Sequence, residues 1–318
     1  MKLRLLVLLA VIFFCGCGGF GTDPADTGEG DLVDSGQDQS LPPFNPVFEA
    51  DVLSERLATG LLKVAVLSVN QADAILVQTP DGCNILIDGG QGDDVVKRLK
   101  SLGVWGKRLD LVILTHPHID HVRGLLYVLN ACPITEIWET GVKDNSLIPN
   151  IWYDAWRQRV AKLGIPDCKV RAGKKASFGG ALIKVIAPRG NLNGKSVPIV
   201  NNASIVTEIS FGSCKALLTA DAQVDEQKEF VSGLGHVQFF KVPHHGAKNA
   251  ALAGTYQKTT ADVAVVTTGL ASKLIGLPDA ATVSLMRKYC LRSFNTSRDG
   301  TVVATIDRRK CRVSTIPD

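Results

Sequence analysis

Thr115–Gly124 reads THPHIDHVRG, and the run ahead of it, Leu109 to Leu114, is apolar except at Asp110. Such a run predicts a buried strand. A strand that stops at Thr115 delivers His116, His118, Asp120 and His121 to one loop at its carboxyl end. Three imidazoles and a carboxylate so close together suit a transition metal or a pair of them. The competing reading is a polar turn that caps a helix from Val122 onwards. Against it, three of the six histidines in the whole chain fall in this one turn.

One loop supplies too few ligands for two ions. Lys215–Ala222, KALLTADA, reads as a second strand whose apolar run ends at Asp221, and Phe239–Gly246, FFKVPHHG, as a third that ends at His244 and His245. These strand ends meet if the strands share an edge. A carboxylate such as Asp221 can then bridge two cations about 3.5–4 Å apart, with a water between them whose pKa falls to about 7. Asp73 and Asp88 lie at two further strand ends near this site. Asp88 either orients a ligand histidine or satisfies backbone amides in the Gly89-Gly90 turn.

The 318 residues, 45% hydrophobic and 21% charged, have the balance of a globular protein with a sizeable core. The net charge of +4 is unevenly spread. Residues 1–58 carry nine acids against three bases, leaving 22 acids against 32 bases, a net of +10, for the remainder. A basic body raises the local concentration of polyanions, or is the ordinary solvation of a large face.

Lys2 and Arg4 precede an apolar run, Leu5 to Phe14, too short to span a bilayer and built like a secretory signal. Phe14-Cys15-Gly16-Cys17 resembles the lipobox of bacterial lipoproteins, with Cys17 the best match for the lipidated residue and Phe14 where leucine is preferred. The expected organisation is a lipoprotein-type signal over residues 1–17, a flexible acidic linker over 18–58, and one domain over 59–318. In the domain, strands are expected at Leu61–Val69, Asp73–Gln78, Asn84–Asp88, Ile134–Trp138, Lys169–Arg171, Ala181–Ile186, Ser204–Phe211 and Val263–Thr267. Helices are expected near Asp94–Leu102, Ile151–Leu163, Asp225–Val231 and Ala280–Tyr289. The pattern favours a single α/β domain with two packed sheets. Six cysteines remain beyond the signal; Cys132 with Cys168 and Cys290 with Cys311 are the expected disulfides, buried free thiols the alternative. Trp138, Trp152, Tyr153 and Trp156 form either a base-stacking platform or the packed face of an amphipathic helix.

Taken together, NILIDGG with Asp88, His116-X-His118-X-Asp120-His121, LLTAD with Asp221 and VPHHG with His245 resemble the metallo-β-lactamase fold superfamily. Within it the sequence is most similar to the extracytoplasmic hydrolase domain of ComEC-type DNA-uptake proteins. Ser68–Gly90 resembles that group's opening VGQGDA and LIDGG strands, Asn201-Asn202-Ala203-Ser204 its NNxS segment, and NTSRDGTV, Asn295 to Val302, its closing strand. The resemblance implies an αββα four-layer sandwich and two divalent metal ions, zinc foremost, with manganese or magnesium as alternatives. By it, His116 and His118 hold the first ion, and Asp120, His121 and His245 the second, with Asp221 bridging. Asp120, Asp221, His244 and Lys248 make up the catalytic set, His244 touching substrate or supporting a ligand and Lys248 balancing phosphoryl charge. On the residues alone, Lys248 reads more readily as a solvated surface lysine. Asp73, Asp88, Asn201, Asn202 and Ser204 line the substrate side or support the ligands. No histidine lies between His121 and His236, so Asn202 is expected near the place of a further ligand, and the first ion is expected to be held more weakly. Arg123, Ala247 and Leu277 depart from the DHxGG, HHGS and GHP patterns, and the last two departures imply an altered substrate or reduced activity.

The activity implied is that of an exported hydrolase using a metal-bridging hydroxide on a phosphodiester of nucleic acid. Alternatives are another ester, phosphorylcholine or lactam substrate, and a non-catalytic nucleic-acid-binding lipoprotein. A lipid anchor is the only membrane attachment expected, with no transmembrane channel.

Overall fold

A computed structural model describes residues 40–46, 59–143 and 150–318. The lipobox at Cys17 and most of the expected linker lie outside the described residues. No described helix is long and apolar enough to cross a membrane.

Period-two alternation builds two sheets. Strands β1 (Leu62–Val66), β2 (Ile75–Gln78), β3 (Asn84–Ile87), β4 (Leu111–Ile113), β5 (Ile137–Glu139), β6 (Asp167–Lys169), β14 (Thr301–Ile306) and β15 (Cys311–Ile316) form one, in the order β15-β14-β1-β2-β3-β4-β5-β6. The other holds β7 (Lys175–Phe178), β8 (Ala181–Ala187), β9 (Val206–Phe211), β10 (Cys214–Leu218), β11 (Phe239–Lys241), β12 (Val263–Val266) and β13 (Arg292–Asn295), in the order β13-β12-β11-β10-β9-β8-β7. Leu62, Val64, Ile75, Val77, Ile85, Ile87, Phe239, Val263 and Val265 point between the sheets into a shared core. Their neighbours Ala65, Leu76 and Leu86 point outward beneath helices α1 (Asp94–Ser101), α2 (Ile119–Val128) and α3 (Ile151–Leu163). On the other sheet Leu217, Phe240, Ala264 and Val266 point outward beneath α4 (Val224–Phe230), α5 (Ala253–Thr259) and α6 (Ala280–Tyr289). The result is the expected four-layer αββα sandwich.

Each sheet contains a parallel ladder, β3 to β6 in one and β10 to β13 in the other. Parallel strands end at the same edge, so the residues after β3, β4, β10, β11 and β12 gather there. That edge is where the ligand-type residues stand.

Several expectations change. The strand expected at Lys169–Arg171 pairs earlier, Ile137 opposite Asp167 and Glu139 opposite Lys169. β7 is an edge strand, alternately exposed and half-buried, whose sequence KASF carries little apolar signal. α5 was likewise silent, since AGTYQKT buries only Thr255, Tyr256 and Thr259. All six described cysteines are free. Cys132 lies in the outer helical layer and Cys168 against the inter-sheet core, on opposite faces of one sheet. Cys290 and Cys311 are likewise parted, one under the second helical layer and the other against the core. The aromatic cluster is packing: Trp138 and Trp156 are buried, one in the inter-sheet core and one on the inner face of α3. Residues 41–46, counted with the linker, lie against α3, where Arg159 donates to the Pro42 carbonyl and stands over the Phe44 ring.

The first helix after the ligand loop is held by bare backbone. Gly89 N donates to His121 O at 2.8 Å and Gly124 N to Gly90 O at 2.9 Å. A Cβ on Gly124 would fall 1.7 Å from Gly89 O. Gly124→Ala is therefore expected to cost about 1–3 kcal/mol by overpacking and, because α2 carries Asp120 and His121, to weaken metal uptake in parallel; thermal melts and a zinc titration of the same sample check both.

Glu226, on α4, is buried. Burial, with Glu229 nearby, pushes its carboxyl well above the ordinary 4.5, opposed only by the Ser204 amide. The unfolded chain therefore releases this proton at lower pH than the folded one, and stability falls as pH rises above the unfolded value. Glu226→Gln is expected to match the parent melting temperature at about pH 4 and to exceed it increasingly towards about pH 8. Melts across that range give the answer, and a pH-independent difference contradicts the assignment.

Candidate metal centre

Chain geometry turns each functional side chain inward. β3 runs out at Asp88, whose φ of +59° turns the chain into Gly89 and Gly90. β4 gives way to Thr115, His116 and His118, and His118 stands at the N-cap of α2, so Asp120 and His121 occupy the helix's first turn. The N-cap of α3, Asn150, accepts from Tyr153 N and donates to the Pro117 carbonyl, tying that helix to the ligand loop. Beyond β11, His244, His245 and Gly246 are all left-handed, with φ of +48°, +52° and +80°. Non-glycine residues there cost about 1–3 kcal/mol each, and such strain gathers at functional sites.

Asp221 Oδ2 is the meeting point. His121 Nε2 lies 3.4 Å from it, His245 Nε2 3.5 Å, His244 Nε2 3.7 Å and His116 Nε2 4.0 Å. Asp120 Oδ2 joins them, 3.3 Å from His245 Nε2 and 3.8 Å from His121 Nε2. Asp221, His116, His121 and His245 are buried, whereas His118, Asp120 and His244 are partly exposed and form the open side.

The remaining ring nitrogens are committed elsewhere, which fixes the tautomers. His121 Nδ1 donates to Asp88 Oδ2 at 2.7 Å. Thr115 Oγ1 also donates to Asp88 Oδ2, at 2.7 Å, so its lone pair is left for His116 Nδ1–H at 3.1 Å. The same relay recurs across the site: Thr267 Oγ1 donates to Asp73 Oδ1 at 2.7 Å and receives His245 Nδ1–H at 2.9 Å. His244 Nδ1 donates to Asn249 Oδ1 at 2.9 Å. Orienting partners of this kind are what metal-ligating histidines require.

A cation fits the space these atoms enclose. One ligand atom from each of Asp120, His121, Asp221 and His245 lies within 4.8 Å of every other. His121 Nε2 and His245 Nε2 are buried without a hydrogen bond, a costly state that a bound ion relieves. Separations of 3.3–3.5 Å match the spacing, about 3.4 Å, of ligands placed roughly 2.0–2.1 Å around a tetrahedral zinc. His116 and His118 differ: His116 Nε2 is 3.1 Å from His118 Nδ1, so these rings satisfy each other.

Electrostatics agree. Burial would raise Asp221, but His245, His121 and His244 outweigh it and hold the carboxyl well below its usual range. Asp120 behaves likewise beside His121 and His245. Against the opposing effect of burial, Asp221, Asp88 and Asp120 lift His121 well up, and Asp221 with Asp120 lifts His245 to about 10. Burial lowers His116 and His244. Two anionic carboxylates thus draw positive charge to the centre, as protons when no metal is present.

The structure gathers His116, His118, Asp120, His121, Asp221, His244 and His245 on this edge, with Asp73 and Asp88 behind them. Asn201, rather than Asn202, reaches the cluster, its Nδ2 donating to His244 Nε2 at 3.1 Å. Among the described hydrogen bonds none takes Asn202 there. Ser204 is buried, and Lys248 is exposed just beyond the HHG turn. Arg123 is buried over the Trp152 ring, 5.7 Å from its centroid, so this departure from glycine packs α2 onto α3. Sequence reasoning passed over Thr115, Thr267, Asn249 and Lys241. The signal was present for three of them: each threonine follows a buried strand, and Lys241 is a charge inside the otherwise apolar FFKV.

Known proteins resemble the chain in sequence and in fold. Over 223 residues the chain is 25% identical to Recombination protein 2 of Haemophilus influenzae, a Rec2/ComEC-type protein, a match covering 69% of this chain and 26% of the relative. The chain thus spans about a quarter of that protein. Over 113 residues it is 32% identical to Ribonuclease Z of Clostridioides difficile, covering 35% of this chain and 31% of the enzyme. In structure it resembles the metallo-beta-lactamase fold protein YhfI from Bacillus subtilis, with a TM-score of 0.53 at 16% identity over 77% of this chain and 99% of that one. The sequence profile of the Metallo-beta-lactamase superfamily matches residues 67–266, from the end of the first core strand to the last residue of β12. With that match spanning every ligand-type residue on the shared sheet edge, the chain belongs to the metallo-beta-lactamase superfamily.

Proposed function

We propose that the chain is a two-metal phosphodiesterase that cleaves nucleic acid, carried to the cell envelope by its N-terminal signal and tethered there through Cys17. The convergence of His121, His245, Asp120 and Asp221 on one cation-sized space carries the hydrolase reading. The phosphodiester reading draws on the +10 charge of residues 59–318 and on relatives named a recombination protein and a ribonuclease.

In this reading Asp120, His121, Asp221 and His245 hold one ion. His116 and His118 hold the other, with Asp221 shared. Divalent cations bound there supply Lewis-acid charge for a phosphoryl oxygen and lower the pKa of water into the neutral range. The chain's own groups do the rest. Asp88 and the two Asp–Thr–His relays lock the imidazoles, so no reorganisation is needed when substrate arrives. His244 is kept neutral by burial and faces the open side beside Asn201, where both contact the substrate backbone. Lys248, exposed at the rim, attracts the polyanion.

Replacing Asp221 by Asn removes the shared carboxylate and the charge that holds both ions. Losing several kcal/mol of charge stabilisation corresponds to a rate at least ~10²-fold lower. Residues 40–318 assayed on single-stranded DNA, RNA, a chromogenic diester and a lactam should cleave the phosphodiesters and not the lactam, cease after chelation and fall as stated in Asp221→Asn. Lactam turnover alone, or full activity in the variant, would sink the reading.

The two positions are unequal, because occupying the first breaks the His116–His118 contact while the second is already assembled. Titration with zinc or manganese, followed by calorimetry, should fill the His245 position before the His116–His118 position, the tighter equivalent lost in His245→Ala and the weaker one in His118→Ala. A single uncoupled class of two equal sites would contradict this.

A further inference from the structure

Lys241 is fully buried. Alternation along β11 turns Phe239 and Lys241 inward between the sheets and Phe240 outward. Asp73, ahead of Ile75 and Val77 on the inward register of β2, faces it from the other sheet. Lys241 Nζ pairs with Asp73 Oδ2 at 2.5 Å, donates to the Ala220 carbonyl at 3.1 Å and stands 3.8 Å from Asp221 Oδ1.

A buried ammonium is costly, and a pin between two sheets would need only Asp73. The other two contacts reach the residue that enters the turn with φ +45° and the carboxylate that follows it. Asp221 Oδ1 is the oxygen turned away from the histidines, and it is buried without a hydrogen bond. Lys241 therefore bears on both supports of the centre. It attracts the rear oxygen of Asp221, and it anchors Asp73, whose other oxygen takes the Thr267 hydroxyl that receives His245.

Resting on the metal-centre reading above, we propose that Lys241 is a positioning residue for that centre. It occupies Asp221 Oδ1 so that Oδ2 alone faces the histidines, and it neutralises Asp73 so that incoming cations meet only Asp120 and Asp221 as uncompensated carboxylates. It touches no substrate and acts through these two groups.

Lys241→Met alone leaves Asp73 buried without its cation and is expected to melt lower, so the decisive variant is Asp73→Asn with Lys241→Met. It contains no buried charge at the pair, and asparagine keeps an Oδ1 for Thr267. The measurement is Zn²⁺ and Mn²⁺ affinity by chelator competition, with thermal melts on the same full-length samples. The double variant is expected to melt close to the parent and to bind about 10- to 100-fold more weakly, the range for lost supporting contacts, while Asp73→Asn alone shows a clearly smaller loss, the part that belongs to the His245 relay. Parental affinity in the double variant reduces Lys241 to a sheet pin and overturns the proposal. An equal loss in Asp73→Asn alone overturns it too, by assigning the effect to Asp73. A parent chain that takes up neither ion removes the metal centre itself, a failure distinct from both.

Discussion

Carboxylates removed from water must be answered by positive charge, and the architecture of this edge follows from that demand. Asp73, Asp88 and Asp221 are all buried where two sheets meet, and each has its own answer. Asp73 has a lysine, Asp88 has His121 and the Thr115 donors, and Asp221 has the four imidazole Nε2 atoms around it. The last answer rests on imidazoles throughout, and imidazoles carry charge by borrowing protons. The place where compensation is unfinished is the place where a cation belongs.

The two halves of the sandwich contribute alike. One sheet supplies Asp88, the histidine loop and α2, and the other supplies Asp221, the HHG turn and Thr267. Each offers a threonine that passes a carboxylate's hold to a histidine, Thr115 to His116 and Thr267 to His245. A hydroxyl has one proton and spare lone pairs, so donating it to the carboxylate leaves the oxygen able to accept only from Nδ1–H. The Nδ1 proton is therefore fixed by hydrogen-bond arithmetic within the protein, and Nε2 is the nitrogen left to exchange its proton for a ligand.

Much of this was legible in the chain. Apolar runs that halt at THPH, at TAD and at PHH announce strand ends bearing ligands, because buried strands leave no other place for such side chains to reach solvent-accessible space. The near-continuous apolar runs LKVAV, NILI and VAVV foretold strands covered on both faces. What stayed hidden depended on which face a residue takes after the chain bends. Asn201 and Asn202 are neighbours of one type, and only the turn decides that the first reaches His244. Cys132 and Cys168 flank the same region of one sheet, yet the sheet itself stands between them. Lys241 was written inside an apolar strand, but its partner lies 168 positions away in the sequence on the other sheet.

The bare contact between Gly89 and Gly124 reaches further than local packing. With no side chain at either position, strand and helix meet main chain to main chain, and the spacing of the backbones that carry Asp88 and His121 is set by main-chain contact and hydrogen bonds rather than by intervening side chains. Drift in the surrounding core can then change volume and composition without retuning the site, while these two positions admit almost no change. Sequence variation among chains built this way should therefore be partitioned: tolerant in the hydrophobic layers, and frozen at two residues that do no chemistry themselves.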